Sequence, residues 1–387
     1  MKTRSIRLSH LHEHFFASLE EQINRLKAQG REIYRLDMGS PDLPPADHIL
    51  AALHLAADQP DRHGYQPLRG TPPIRQAWAN HYQQHYAVTL DANRQVLPLI
   101  GSKEGIFMIT QAVCDPGDIV LVPDPGYLVY AQAARFALAE PYFIPLKADA
   151  GWLPDLSAIP EQTLDRARLL WLNYPNNPTS AVASLEFFSS AIDFARQHDV
   201  LLCHDAAYNL VTFDGKQQPS LLQVAGAAEI AIEFNTLSKA YNMAGWRIGA
   251  ALGNPHAIQS LYSVLTGLTS GYFYPANEAA IAALAGDQSW IASRNAVYQR
   301  RRDLVLQTLR NLGWNAEIPH AGLYIWFSIP SGYTTSAEFC QALLERTDVS
   351  LTPGSVFGPH GEGYVRLSFT QPEQILQQAL ARLDRLQ

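Results

Sequence analysis

Residues 233–249 read EFNTLSKAYNMAGWRIG, with Lys239 near their centre. The run EIAIEF before it is apolar and predicts a buried strand that stops at small polar residues. A lysine directly behind such a strand lies at the edge of a sheet, where desolvation lowers the pKa of its amine and makes it a usable nucleophile. Thr236, Ser238 and Arg247 add two hydroxyls and a cation, the groups that bind a phosphate ester. From this segment alone, a solvated loop lysine and a surface arginine are the alternative.

Length and composition indicate a globular protein of two domains. The chain has 387 residues, of which 47% are apolar and 17% charged, so it is too long for one typical core and too apolar for a disordered chain. Its net charge of −7 is mild and dispersed, which offers no basic face to a nucleic acid. No apolar run approaches the roughly 18 residues that a membrane span requires.

The cellular compartment is predicted from the N-terminus and the cysteines. Residues 1–16 are basic but contain no long apolar segment or small-residue cleavage site. Cys114, Cys203 and Cys340 are odd in number and far apart, which argues against a disulfide framework and for a reducing compartment. We expect a soluble cytoplasmic protein.

From about residue 95 to residue 253, apolar runs alternate with helical patterns. The runs are QVLPLI, DIVLVP, LLWLNYP, VLLCHD, EIAIEF and RIGAAL. Strands that alternate with helices predict a largely parallel sheet covered on both faces, and ligands of such sheets bind beyond the carboxyl ends of the strands. The residues after each run are therefore the candidate site.

Those residues carry groups that could converge on one ligand. After QVLPLI, Ser102 and Lys103 open a helix whose free N–H groups suit a phosphate, although a turn and helix cap is the alternative. Tyr127 is an aromatic plate and Asn177 a hydrogen-bonding amide. Asp205, followed by Tyr208, ends an apolar strand, where a carboxylate is costly unless it has a partner, a cap or a salt bridge.

Arg366, near the C-terminus, is a second charged residue in an apolar strand that needs a partner. It lies in the otherwise apolar run YVRLSFT, where an unpaired guanidinium is expensive. Its planar fork matches an α-carboxylate in a bidentate manner, and a buried structural ion pair is the alternative.

These segments, taken in order, resemble the class I and II aminotransferases, which depend on pyridoxal 5′-phosphate (PLP). The motifs are DMGSPDLP, GSKEG, DPGY, YPNNPT, HDAAY, TLSKAYNMAGWRIG and PGSVFGPHGEGYVR, and they cover the chain from about residue 30 to residue 370. Ser180 departs from the family, which usually has glycine after NNPT, and we expect this to affect loop geometry.

The resemblance implies a role for each site residue. Lys239 would bind PLP covalently and move the substrate Cα proton, while Arg247 would clamp the phosphate and Arg366 the substrate α-carboxylate. Asp205 would pair with the pyridine nitrogen. The other residues expected to bind the cofactor are Ser102, Lys103, Tyr127, Asn177, Tyr208, Thr236 and Ser238, together with Tyr65, which would reach across a homodimer interface. Gly39, with Asn177, is expected at the substrate, and no metal is expected.

The resemblance also implies the fold, which is α/β and of fold type I. A large domain would hold a mostly parallel seven-stranded sheet between helices, and a smaller domain would be α+β. We expect an N-terminal arm and part of the small domain in residues 1–60, the PLP-binding domain in 61–289 and the rest of the small domain in 290–387.

The implied reaction is transamination between an L-amino acid and a 2-oxo acid. Motif wording favours alanine or glutamate as donor with pyruvate or 2-oxoglutarate; the alternative is an LL-diaminopimelate aminotransferase. Two rivals are a carbon–sulfur β-lyase and a non-enzymatic regulator, and a regulator is disfavoured because no basic helix-turn-helix pattern precedes residue 30.

Three further features receive structural interpretations. The histidines at positions 10, 12, 14, 81 and 85 lack a metal-site pattern and are expected to be exposed, and Arg300, Arg301 and Arg302 to form a solvated helix face. Asp47 is expected to cap a helix.

Overall fold

A seven-stranded sheet organises the computed structural model, which describes residue 8 and residues 15–386. The strands of this sheet are β2 (Val96–Leu99), β3 (Ile119–Asp124), β4 (Glu140–Pro145), β5 (Ala167–Leu172), β6 (Leu201–Asp205), β7 (Ala231–Thr236) and β8 (Gly249–Gly253). Their order is β2-β8-β7-β6-β5-β3-β4, and β8 runs antiparallel to both of its neighbours. The predicted α/β fold with a mostly parallel sheet is confirmed.

Two smaller sheets lie outside it. Strands β1 (Tyr34–Arg35) and β10 (Val349–Ser350) pair in parallel, and β9 (Tyr324–Ser328), β11 (Thr352–Pro353) and β12 (Tyr364–Ser368) form an antiparallel sheet of order β11-β12-β9.

The helices follow the predicted alternation. They are α1 (Phe15–Ala28), α2 (Asp47–Ala57), α3 (Pro72–Tyr86), α4 (Ser102–Val113), α5 (Val129–Phe136), α6 (Glu161–Leu164), α7 (Leu185–Gln197), α8 (Ala227–Ile230), α9 (Leu237–Ala240), α10 (Pro255–Leu268), α11 (Tyr274–Ala285), α12 (Ser289–Asn311), α13 (Ser336–Thr347) and α14 (Glu373–Leu380). In the described part of the chain, no helix combines the length and apolar character needed to cross a membrane.

The large sheet is buried on both faces because helices cover each side, and successive side chains of a strand point into opposite cores. Leu202 belongs to the core under α3, α7 and α11, while its neighbour Cys203 belongs to the core under α4, α5 and α10. A separate core lies around β9, β12, α12 and α13. The domain boundaries after residues 60 and 289 stay predictions.

One strand was not anticipated. The sequence of β4, EPYFIP, contains two prolines and no regular alternation, so the pattern did not mark it as a strand. It forms the edge of the sheet, where a missing backbone N–H is tolerated.

Two predictions about polar residues are wrong. Asp47 is the first residue of α2 rather than its cap, and the residue at the cap position is Ala46. His81 is buried and His85 half-buried because the face of α3 that carries them packs inward; burial lowers the pKa of His81 to about 3. The histidines at positions 10, 12 and 14 lie outside the described residues.

The predicted solvated arginine face is also wrong. Arg300 is exposed, but Arg301 and Arg302 are 4% and 3% exposed. Arg301 donates from both terminal nitrogens to the Asp42 carboxylate at 2.7 and 2.9 Å, and Arg302 does the same to Asp214 at 2.6 and 3.0 Å. A run of three basic residues cannot reveal such partners, because they lie far away along the chain.

This difference predicts unequal stabilities for two adjacent substitutions. Arg301→Ala removes the cation paired with the Asp42 carboxylate, which keeps a hydrogen bond from Tyr298 at 3.3 Å, and we expect it to lower the free energy of unfolding by about 3 kcal/mol. Arg300→Ala, the matched control, should change it by less than about 0.5 kcal/mol. Denaturant midpoints measure both effects, and equal midpoints for the two variants would contradict this interpretation.

Candidate active site

The carboxyl ends of the parallel strands meet at one edge of the large sheet and border a cavity of about 490 Å³. The cavity is lined by all predicted site residues except Tyr65: Gly39, Ser102, Lys103, Tyr127, Asn177, Asp205, Tyr208, Thr236, Ser238, Lys239, Arg247 and Arg366. Tyr65 is 91% exposed and lines a separate surface depression.

Lys239 lies on the short helix α9, directly after β7. Its Nζ donates to the carbonyl oxygen of Gly39 at 2.7 Å. Burial lowers the pKa of Lys239, and the nearby cations Arg366 and Arg247 lower it further against an opposing effect of Tyr324. The desolvation predicted from the sequence is therefore present.

Arg294 fixes the backbone of this helix from behind. Its Nη1 donates to the carbonyl oxygens of Lys239 and Ala240 at 2.8 and 2.7 Å, and its Nη2 donates to that of Leu210 at 2.8 Å. The arginine is 4% exposed, and burial lowers its pKa to about 10. This contact could not be predicted from the sequence, because Arg294 lies 55 residues further along the chain.

Asp205 ends β6 and is buried. Tyr130 donates to its Oδ2 at 3.0 Å, whereas Oδ1 has no hydrogen-bond partner among the described residues. Burial raises the pKa of Asp205 to about 6, against the hydrogen bond from Tyr130. A buried carboxylate with one free oxygen on the cavity wall is a site for a donor or a cation.

Arg366, on β12, is 5% exposed and has neutral partners. It donates to Asn177 Oδ1 and to the carbonyl oxygen of Asp37, both at 2.8 Å. Its guanidinium carbon lies 4.2 Å from the ring centroid of Tyr324, and within the described chain its Nε has no hydrogen-bond partner. No carboxylate of the described chain pairs with Arg366, so its charge is available to an anion in the cavity.

A small polar pocket lies at the start of α4. Gly101 precedes this helix with φ of +107°, and a side chain there would overlap the guanidinium of Arg247. Arg247 Nη1 lies 3.5 Å from Ser238 Oγ, and Ser238 is in turn bonded to Thr236. Two hydroxyls, a guanidinium and a helix N-terminus thus surround a space that suits a phosphate.

Sequence reasoning also missed Tyr324, Asn173 and Tyr130, which bond to predicted site residues. Tyr324 bonds Tyr208 through their hydroxyls at 3.0 Å and occupies the space that a side chain on Gly39 would need. Asn173 donates to the Asp205 carbonyl oxygen at 2.7 Å and accepts from the Asn177 N–H at 2.8 Å. Asn173 directly precedes YPNNPT, within the quoted run LLWLNYP, and could have been found there, whereas Tyr324 and Tyr130 carry no local signal.

Ser180 supports the expected effect on loop geometry. It adopts a φ of +59°, which glycine would reach without strain. Its hydroxyl donates to the Tyr324 carbonyl oxygen at 2.8 Å, a bond that glycine could not make.

The family model for "Aminotransferase class I and II" matches residues 31–383. The chain belongs to this family. The resemblance predicted from the motifs is confirmed: the protein is a PLP-dependent aminotransferase of fold type I.

Similar proteins support the same assignment for this aminotransferase. It is 46% identical over 379 residues to an LL-diaminopimelate aminotransferase of Dehalococcoides mccartyi, covering 98% of this chain and 97% of the relative. An LL-diaminopimelate aminotransferase of Moorella thermoacetica is also 46% identical, with the same coverage. Substrate-bound BacF from Bacillus subtilis superposes with a TM-score of 0.96 at 36% identity, covering 100% of this chain and 98% of that one.

The cavity of the aminotransferase fits the cofactor of its family. Asp205 Oδ1, which has no hydrogen-bond partner among the described residues, is a buried acceptor that suits a protonated ring nitrogen, and the Arg247 guanidinium beside Gly101 suits a phosphate. Lys239 supplies a desolvated amine on the wall of the same cavity. The roles of the individual residues toward PLP stay predictions.

The raised pKa of Asp205 predicts that the free energy of unfolding of the cofactor-free aminotransferase falls as pH rises. Because the folded-state pKa of about 6 lies above the ordinary value of 3.8, folding favours the protonated carboxyl; the stabilisation is complete below pH 4 and is lost as pH rises through 6. Asp205→Asn should therefore raise the free energy of unfolding at pH 8 by about 2–3 kcal/mol and leave it unchanged below pH 4. Denaturation of both proteins at the two pH values measures this.

The same substitution should weaken PLP binding at pH 8, since the ionic partner of the ring nitrogen is removed. A variant that is less stable than wild type at pH 8, or that binds PLP equally well, would contradict the assignment of Asp205.

Proposed function

We propose that the aminotransferase transfers the α-amino group of LL-diaminopimelate to a 2-oxo acid. The observation that carries this proposal is the name shared by relatives that are 46–47% identical over 97–98% of the chain. It replaces alanine or glutamate, which motif wording had ranked first, as the preferred donor. The names also favour transamination over the carbon–sulfur β-lyase.

The site supports the α-amino acid end of this reaction. Arg366 would bind the substrate α-carboxylate through its two terminal nitrogens, because its present partners are neutral and its charge is uncompensated. Asn177, already bonded to Arg366, would hold the guanidinium in that orientation.

The residues that would hold PLP are those of the sheet edge. Ser102, Ser238 and Arg247 would bind its phosphate, Asp205 its ring nitrogen, and Tyr127 would stack on the ring. When bound, the cofactor withdraws electrons from the substrate Cα and so makes the Cα proton acidic. Lys239 would take up and return that proton, and its lowered pKa favours the neutral amine that a base requires.

Two further expectations belong to this proposal. Tyr65 is exposed and lies outside the cavity of its own chain, so it is available to reach the cofactor phosphate of a second copy. The homodimer and the cytoplasmic location stay predictions.

A half-reaction assay tests the substrate. Purified aminotransferase loaded with PLP should lose its visible absorption when LL-diaminopimelate is added and regain it with 2-oxoglutarate or pyruvate. We expect the second-order rate constant of this half-reaction to be at least tenfold higher for LL-diaminopimelate than for alanine or glutamate. A tenfold preference needs about 1.4 kcal/mol of differential binding.

Lys239→Ala is the control. It should lack both the visible absorption band of the PLP-loaded wild type and turnover. Faster reaction with alanine or glutamate would return the assignment to those donors, and pyruvate release from cystathionine without an added oxo acid would favour the β-lyase.

A further inference from the structure

Three charged side chains from the N-terminal part of the chain line the active-site cavity alongside Lys239 and Arg366: Glu20 of α1, Arg35 of β1 and Asp37. Arg35 Nη1 donates to Glu20 Oε2 at 2.6 Å. Its Nε and Nη2 donate to the two carboxylate oxygens of Asp37, each at 2.8 Å. We call these three residues the acidic triad, because two carboxylates surround one guanidinium.

The triad is joined to the α-carboxylate site through the backbone. The carbonyl oxygen of Asp37 accepts from Arg366 Nη2 at 2.8 Å and from the hydroxyl of Thr352 at 3.2 Å, while the carboxylate of the same residue holds Arg35. A substrate whose α-carboxylate lies on Arg366 therefore has the triad within reach of a side chain that extends along this wall.

The two carboxylates of the triad differ in how many of their oxygens already accept hydrogen bonds from Arg35. Asp37 is fully buried, and both of its oxygens are bonded to Arg35. Glu20 is 49% exposed at its side chain and meets Arg35 through one oxygen. The hydrogen bond from Arg35, followed by its charge, lowers the pKa of Glu20, so this carboxylate is ionised at neutral pH. Asp37 is thus structural, and Glu20 is free to accept from a ligand.

The remote end of LL-diaminopimelate matches this arrangement. It is a second amino acid centre, with an ammonium and a carboxylate on one carbon. Alanine has no remote group, and glutamate has a remote carboxylate but no remote ammonium from which Glu20 could accept. Charge complementarity of this kind determines specificity more than total affinity.

We propose that Glu20 and Arg35 form the subsite for the distal amino acid centre of the substrate, with Glu20 accepting from the distal ammonium and Arg35 donating to the distal carboxylate. This inference rests on the proposed function. It makes Glu20 a specificity-determining residue contributed by α1.

Two analogues separate the two contacts. L-lysine is LL-diaminopimelate without the distal carboxylate, and L-2-aminopimelate is LL-diaminopimelate without the distal ammonium. The experiment measures the KM of the PLP-loaded aminotransferase for LL-diaminopimelate and the inhibition constants of both analogues against it, for wild type, Glu20→Gln and Glu21→Gln.

Glu20→Gln keeps the size of the side chain and removes its charge. We expect it to raise the KM for LL-diaminopimelate and the inhibition constant of L-lysine about fivefold, the size expected of a half-exposed ion pair. It should lower the inhibition constant of L-2-aminopimelate, because a repulsive carboxylate has been removed. Glu21 is exposed and is not among the described residues that line the cavity, so Glu21→Gln should match wild type throughout.

The outcomes distinguish the two proposals. Efficient turnover of LL-diaminopimelate by wild type with identical constants for Glu20→Gln would overturn the subsite and leave the proposed function standing. Equal weakening of all three ligands would also overturn it, since that indicates a structural effect rather than recognition of the ammonium. No turnover of LL-diaminopimelate by wild type would overturn both.

Discussion

The desolvated amine of Lys239 is the constraint on which the rest of the site depends. Moving an ammonium group out of water is unfavourable. The carbonyl oxygen of Gly39 accepts a hydrogen bond from Nζ, and burial lowers the pKa of the amine, which favours its neutral form. The buried strand β7 determines where the amine emerges, and Arg294 holds the backbone that carries it. A side chain at Gly39 would displace Tyr324, so the acceptor, the ring and the amine depend on one another.

Around this amine, the cavity holds charges that the described protein leaves uncompensated. Asp205 keeps a free oxygen, and Arg366 has neutral partners although both residues are buried. Such an arrangement is unfavourable in the empty protein and becomes favourable when a ligand supplies a cation to one and an anion to the other. The sheet edge therefore suits occupants that bring a cation to Asp205 and an anion to Arg366.

Much of this site was predictable because parallel strands place their carboxyl ends together. The polar residues that follow each apolar run, such as Asp205 after β6 and Ser102 after β2, were found from the sequence and line one cavity. The residues that hold them were not predictable. Tyr324 lies on a strand of another sheet, and Arg301 looked like part of a solvated basic run until the fold placed Asp42 beside it. Local patterns report which residues end a strand, and they do not report which distant side chain will meet them.

Helix α12 has a mechanical consequence for the size of the cavity. Arg294 anchors the carbonyl of Lys239, and Arg301, two turns further on, anchors Asp42 and the carbonyl of Thr370, whose own hydroxyl bonds the carbonyl of Met38. The two anchor points are about 10 Å apart along a rigid rod. The helix thus sets the distance between the turn that carries the amine and the loop that carries Gly39. A residue inserted between them would turn Arg301 by about 100° away from Asp42 and change the span available to a substrate, although no residue that lines the cavity had been altered.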